Sequence, residues 1–141
     1  TQGVPHVRGG TYLAMEGPQF STLAESQLYR SWNCDVIGMT NMPEAKLARE
    51  AEIAYATVAL VTDYDCWYEG HDDVTVEMVI EYLNKNVRNA QLVLKDAVKR
   101  VAAKETPNQF AGATRNAIFT APGDWPEETF KSLEAIIGKY R

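Results

Sequence analysis

The sequence predicts an α/β fold, because short apolar runs alternate with segments of helical periodicity. Three observations carry this prediction. Apolar runs near residues 11–15 and 34–40 end at turn-forming residues. The segments that follow them repeat apolar residues on one helical face. The run Ile53 to Thr62 is rich in Ala, Val and Leu without polar alternation, the pattern of a strand covered on both sides.

Taken in order, "TYLAM" (11–15) reads as a short strand that stops at "EGPQ". In "STLAESQLYRSW", Leu23, Leu28 and Trp32 share a face, and Thr22 followed by Glu25 has capping-box spacing. A helix is expected there. "CDVIGMT" (34–40) is a short apolar run followed by Asn and Pro, as in a buried strand leading to a loop. Pro43 opens a second helical stretch, "PEAKLAREAE", placed near the first turn where its missing N–H does no harm. The Ile53 to Thr62 strand follows. From Thr75 to Lys104, apolar residues at Val76, Val79, Ile80, Leu83, Val87, Ala90, Leu94, Ala97, Val98 and Val101 keep a period near 3.6 and predict a long amphipathic helix. Residues 105–125 hold two prolines and two glycines and read as a connection, and "PEETFKSLEAIIGKY" closes the chain as a helix.

The 141 residues, 45% hydrophobic and 23% charged, suffice for one domain with a core and not for two. A net charge of −5 lacks the basic field that nucleic acid or an anionic membrane would require. The apolar run Ile53 to Val61 is about half the length of a membrane span, and no basic segment leads into an apolar one at the N-terminus. Secretion is not expected, and a cytoplasmic location is. Cys34 and Cys66 lie far apart, form no CxxC and have neither His6 nor His71 near them in sequence. Neither a zinc site nor a disulfide framework is expected.

In open α/β sheets, ligands sit beyond the carboxyl ends of the strands. Three such ends carry useful chemistry: "EGPQFS", "GMT" and "TDYD". If the backbone stays extended through Asp63, Tyr64 and Asp65, the two carboxylates point to the same side. Taken alone, such a pair also reads as turn or capping residues.

The three ends together resemble one family. The motifs EGPxFST, AESxxYRxW, DVIGMT, PEAxLAREA and VTDYDCW, between about Gly10 and Leu83, follow the order and spacing of the C-terminal half of 5′-methylthioadenosine phosphorylases, within the trimeric purine nucleoside phosphorylase group. Beyond about Lys85 the likeness is only helical. The resemblance implies the C-terminal part of a mixed-sheet nucleoside phosphorylase fold with flanking helices. It also implies phosphorolysis of methylthioadenosine to adenine and methylthioribose 1-phosphate, with inorganic phosphate as co-substrate and no cofactor or metal.

In such a reaction negative charge develops on the leaving purine, and protonation at N7 relieves it. A carboxyl group buried at the end of an apolar strand suits that task, with a second acceptor taking the 6-amino hydrogens. The resemblance implies these two roles for Asp63 and Asp65, with Asp63 taken as the N7 acid and Asp65 as its partner at N6, although the sequence does not order the two. Relatives that use 6-oxopurines have Asn at the position of Asp63 and Glu at that of Ser21, so Ser21 with Asp63 implies a 6-aminopurine. Phe20 is expected against the base or ribose, Ile37 and Met39 at the substrate, and Thr40 at phosphate. Thr62, Val76, Val79 and Ile80 are expected to line the base and the 5′-methylthio group. Ordinary packing or turn roles remain open for Phe20, Met39 and Thr40, and more so for the three helix residues. Glu25 and Arg30 read as structural, and Tyr64 and Trp67 as packing.

The family's Gly-rich phosphate loop and its Arg lie in an N-terminal half that these residues do not contain. Gly9 and Gly10 lead into a strand rather than a helix start. Residues 1–141 are therefore expected to be part of a single phosphorylase domain, completed by a separate N-terminal chain or segment and assembling as a trimer or hexamer. The competing readings are a silent nucleoside-binding or assembly subunit and a nucleosidase that hydrolyses the same bond.

Overall fold

The computed structural model describes residues 3–70, 75–103 and 107–141. The described residues fall into two compact units, one from Thr1–Thr40 and Thr57–Thr106, the other from Asn41–Ala56 and Pro107–Arg141.

The first unit opens with a strand, a helix and a second strand: β1 (Tyr12–Ala14), α1 (Leu23–Ser31) and β2 (Val36–Gly38). β1 and β2 pair in parallel, with Tyr12 opposite Val36, Leu13 opposite Ile37 and Ala14 opposite Gly38. Register is set at the entry. Thr11 N–H donates to Asp35 Oδ2 at 2.7 Å, and Asp35 N–H returns a bond to the Thr11 carbonyl at 2.9 Å. Both halves of the expected capping box are present on α1: Glu25 N–H donates to the Thr22 hydroxyl, and Thr22 N–H donates to the Glu25 carboxylate. Asn33, with φ 58°, ends the helix in the left-handed conformation that Asn tolerates.

The long helix is α3 in chain order, Val76–Ala102, and it follows α2 (Glu44–Glu50) of the second unit. The Thr75 hydroxyl caps α3 by accepting from Met78 N–H at 3.3 Å, and Lys99 and Arg100 occupy the last turn, where the helix dipole favours cations. Lys104 lies outside the described residues. No residue of α3 is buried. Val79, Asn86, Ala90, Val93 and Ala97 are half-buried along one edge of its apolar stripe, while Val76, Ile80, Val87, Leu94 and Val98 along the other are exposed.

In the second unit α2 ends in a Schellman motif, with Ile53 N–H on the Ala48 carbonyl and Glu52 N–H on that of Arg49. Pro43 stands at its N-cap, one residue before the helix proper. The connection after residue 107 holds two short 3-10 turns, Arg115–Ala117 and Pro122–Asp124. Residues 105 and 106 of the expected connection lie outside the described residues. The chain closes with α4 (Glu127–Ile137) and a 3-10 turn, Gly138–Tyr140. Phe130 of α4 is buried and stacks on Trp125, ring centroids 5.8 Å apart.

One expectation is overturned. Ile53 to Thr62 forms no strand, and Ile53, Tyr55, Val58, Leu60 and Val61 are exposed. The sheet has two strands among the described residues, β1 and β2, so this run has no ladder partner. An extended segment without neighbours satisfies neither its amides nor its apolar side chains.

Candidate functional site

Because β1 and β2 are parallel, their carboxyl ends open at one edge, from which the chain runs into residues 16–21 after β1 and 39–40 after β2. Met15 N–H donates to the Gly38 carbonyl at 2.9 Å and joins the two exits. The Tyr12 hydroxyl reaches across to the Thr40 hydroxyl at 3.1 Å. Gly38 permits this, since a Cβ there would fall 1.9 Å from the Tyr12 hydroxyl oxygen. Met39 lies against the turn at Gly17, where φ is +83° and a Cβ would meet the Met39 methyl at 3.1 Å. Ile37 is half-buried within β2. Phe20 stands 82% exposed.

The third loop, 62–68, is fastened to the first two. The Cys66 thiol donates to the Ser21 carbonyl at 3.5 Å, and the Ser21 hydroxyl lies 4.0 Å from Met15 Sδ. The two carboxylates have different surroundings. Asp65 is half-buried and accepts a 2.6 Å hydrogen bond from the Ser26 hydroxyl, which is 1% exposed. Asp63 is exposed and accepts at 2.5 Å from its neighbour Thr62. The burial expected around Asp63 is therefore not supplied by the described residues. Beyond Asp65 the loop turns, and Tyr68 N–H folds back onto the Asp65 carbonyl at 3.1 Å. That turn stacks Tyr64 on Tyr68 at 4.4 Å and sets Trp67 edge-on to both. The Arg30 guanidinium lies 3.5 Å above the Trp67 ring, a cation–π contact that holds the loop to α1.

Val76, Val79 and Ile80 occupy the first turns of α3, with Val79 half-buried and Val76 and Ile80 exposed. Two turns beyond Val79, on the same face, Asn86 Nδ2 donates to the Val61 carbonyl at 2.7 Å. The face bearing Val79 is thus tied to the segment that leads into Thr62 and Asp63. Among the described residues no group of three or more His, Cys, Asp and Glu is placed to hold a metal ion, and no helix is long and apolar enough to cross a membrane.

Sequence reasoning missed Ser26. A small hydroxyl inside a helix is ordinary, and its importance follows from a partner 39 residues away. It also missed Glu52, in the second unit, although an acidic residue just past a helix C-terminus opposes the helix dipole and was a legible signal.

The sequence model of the phosphorylase superfamily matches residues 1–99. A protein of Synechocystis sp. named S-methyl-5′-thioadenosine phosphorylase is 58% identical over 99% of this chain and 43% of its own length. A crystal structure of a methylthioadenosine phosphorylase from an antarctic soil metagenomic library is similar with a TM-score of 0.82, at 50% identity over 90% of this chain and 44% of that one. A methylthioadenosine phosphorylase from Schistosoma mansoni, in complex with adenine, matches at 40% identity and a TM-score of 0.61 over 67% of this chain and 32% of that one. The chain spans less than half the length of the curated relatives it matches.

Proposed function

The chain belongs to the phosphorylase superfamily, and on that footing we propose that, completed by an N-terminal segment, it phosphorolyses 5′-methylthioadenosine to adenine and 5-methylthioribose 1-phosphate. The observation that supports this reading is the bond from the Cys66 thiol to the Ser21 carbonyl, which fastens the loop carrying Asp63 and Asp65 to the segment carrying Ser21. The names of relatives that are 50–59% identical along nearly the whole chain support it.

In the reaction a phosphate oxygen forms a bond to C1′ as the bond from C1′ to the purine N9 breaks. The electron pair goes to the purine, and the Asp63 carboxyl supplies a proton at N7. Asp65 accepts from the 6-amino group, which an acceptor favours over a 6-oxo group. Thr40, steadied by Tyr12, donates its hydroxyl to phosphate. Met39 and Phe20 offer soft apolar surface to ribose and base. Val76, Val79 and Ile80 face the 5′-methylthio group, and Thr62 and Ile37 close the base side.

The N-terminal segment brings the remaining groups for the phosphate dianion and covers the exposed stripe of α3. The completed unit assembles as a trimer or hexamer in the cytoplasm. The test is to supply the completed protein with methylthioadenosine in buffer with and without phosphate. Adenine release that requires phosphate, with methylthioribose 1-phosphate as co-product, is expected. Release at the same rate without phosphate would mean hydrolysis and overturn the reading.

A further inference from the structure

We propose that Ser26 is a positioning residue for purine recognition, its hydroxyl holding Asp65 by one carboxylate oxygen so that the other is presented to the substrate's 6-amino group. This rests on the function proposed above. Ser26 is 1% exposed and donates to Asp65 Oδ2 at 2.6 Å, within the short range of hydroxyl-to-carboxylate bonds. In this contact Asp65 is an acceptor, and Oδ1 keeps its lone pairs for another donor.

The anchoring is not confined to one bond. Ser26 and Arg30 are four residues apart on α1 and share a face. Arg30 lies over Trp67 while Ser26 holds Asp65, so a single helix face grips the loop at two points two residues apart. Among the described residues Asp63 has no such anchor, because its bond is to the adjacent Thr62 and moves with the loop. The carboxylate fixed to the helix reads the base. The one carried by its own loop remains free to approach N7 and transfer a proton.

The experiment compares adenosine with purine riboside, which has hydrogen in place of the 6-amino group, as substrates of the completed enzyme. For Ser26→Ala we expect kcat/KM for adenosine to fall roughly ten- to hundredfold, the scale of one hydrogen bond to a charged group. For purine riboside it should change by less than about threefold, within roughly 1 kcal/mol of barrier. Ser26→Cys, which keeps a weak donor at similar size, should fall between wild type and Ser26→Ala in that ratio, and it is read in place of Ser26→Ala if the latter does not fold. An equal loss for both nucleosides, or no loss for either, would overturn the proposal. A wild type that phosphorolyses neither nucleoside nor methylthioadenosine would instead remove the proposed function, and this inference with it.

Discussion

Replacing Asp63 by Asn removes a proton donor while leaving the side chain's size unchanged. Turnover of methylthioadenosine by the completed enzyme should fall by roughly 10² to 10⁴, the range of a general acid. Adding Ser21→Glu should bring measurable inosine phosphorolysis, since the pair then matches a 6-oxopurine. A loss of less than about threefold for Asp63→Asn, under roughly 1 kcal/mol of barrier, would contradict its role. Gly38→Ala tests the phosphate end. A methyl there displaces the Tyr12 ring and separates its hydroxyl from Thr40. KM for phosphate should rise several-fold with little change for the nucleoside, and unchanged steady-state constants for both substrates would remove Thr40 from that site. Ser21, Thr40 and Asp63 were singled out in the sequence because whole motifs carried them. Ser26 was not, because burial and a distant partner leave no local mark in a helix.

At the scale of elements, the proposed function assigns the 5′ preference to α3. Val79→Thr places a hydroxyl on the half-buried edge of its stripe, and the preference for methylthioadenosine over adenosine should narrow by roughly 1 to 3 kcal/mol, the worth of one such group. Adenosine and inosine should keep their ratio, and kcat/KM for the three nucleosides decides it. The tie at the end of α2 predicts an acid limb. Glu52 sits at φ 58°, a conformation a side chain of its size rarely adopts, and four donors converge on its carboxylate: Lys139 Nζ, the Tyr140 hydroxyl, and the Gly112 and Thr114 amides. Lys139 first and Tyr140 next hold its proton affinity well below the ordinary glutamate range. A carboxylate depressed in the folded state stabilises above its unfolded pKa, and that contribution is lost as pH falls through the folded value. Unfolding midpoints of the completed protein should drop as pH falls below the usual glutamate range, and Glu52→Gln should flatten that drop. An unchanged slope would mean that the cluster contributes nothing to acid stability. The helices were predictable because caps and periodicity are local properties. The lack of a strand at Ile53 to Thr62 was not, because an apolar run signals burial but not the ladder partner a strand needs, and the sheet of the described residues pairs β1 with β2 alone.

Apolar exposure also marks the molecule as a whole. Ten large hydrophobic residues of α3, from Val76 to Val101, and five between Ile53 and Val61 stand exposed, which is more apolar surface than an ordinary monomer leaves to water. The isolated chain should melt broadly or be poorly soluble, and a single cooperative transition should appear once the N-terminal segment is added. A sharp calorimetric transition of the chain alone would contradict that. The most direct test of the account is turnover by parts. This chain and the N-terminal half of a close relative are prepared separately, then mixed, and adenine release from methylthioadenosine is followed in phosphate buffer. The account predicts no release from either part and phosphate-dependent release from the mixture, lowered roughly 10²- to 10⁴-fold by Asp63→Asn in this chain. Release by this chain alone, or by a mixture indifferent to Asp63→Asn, would contradict it.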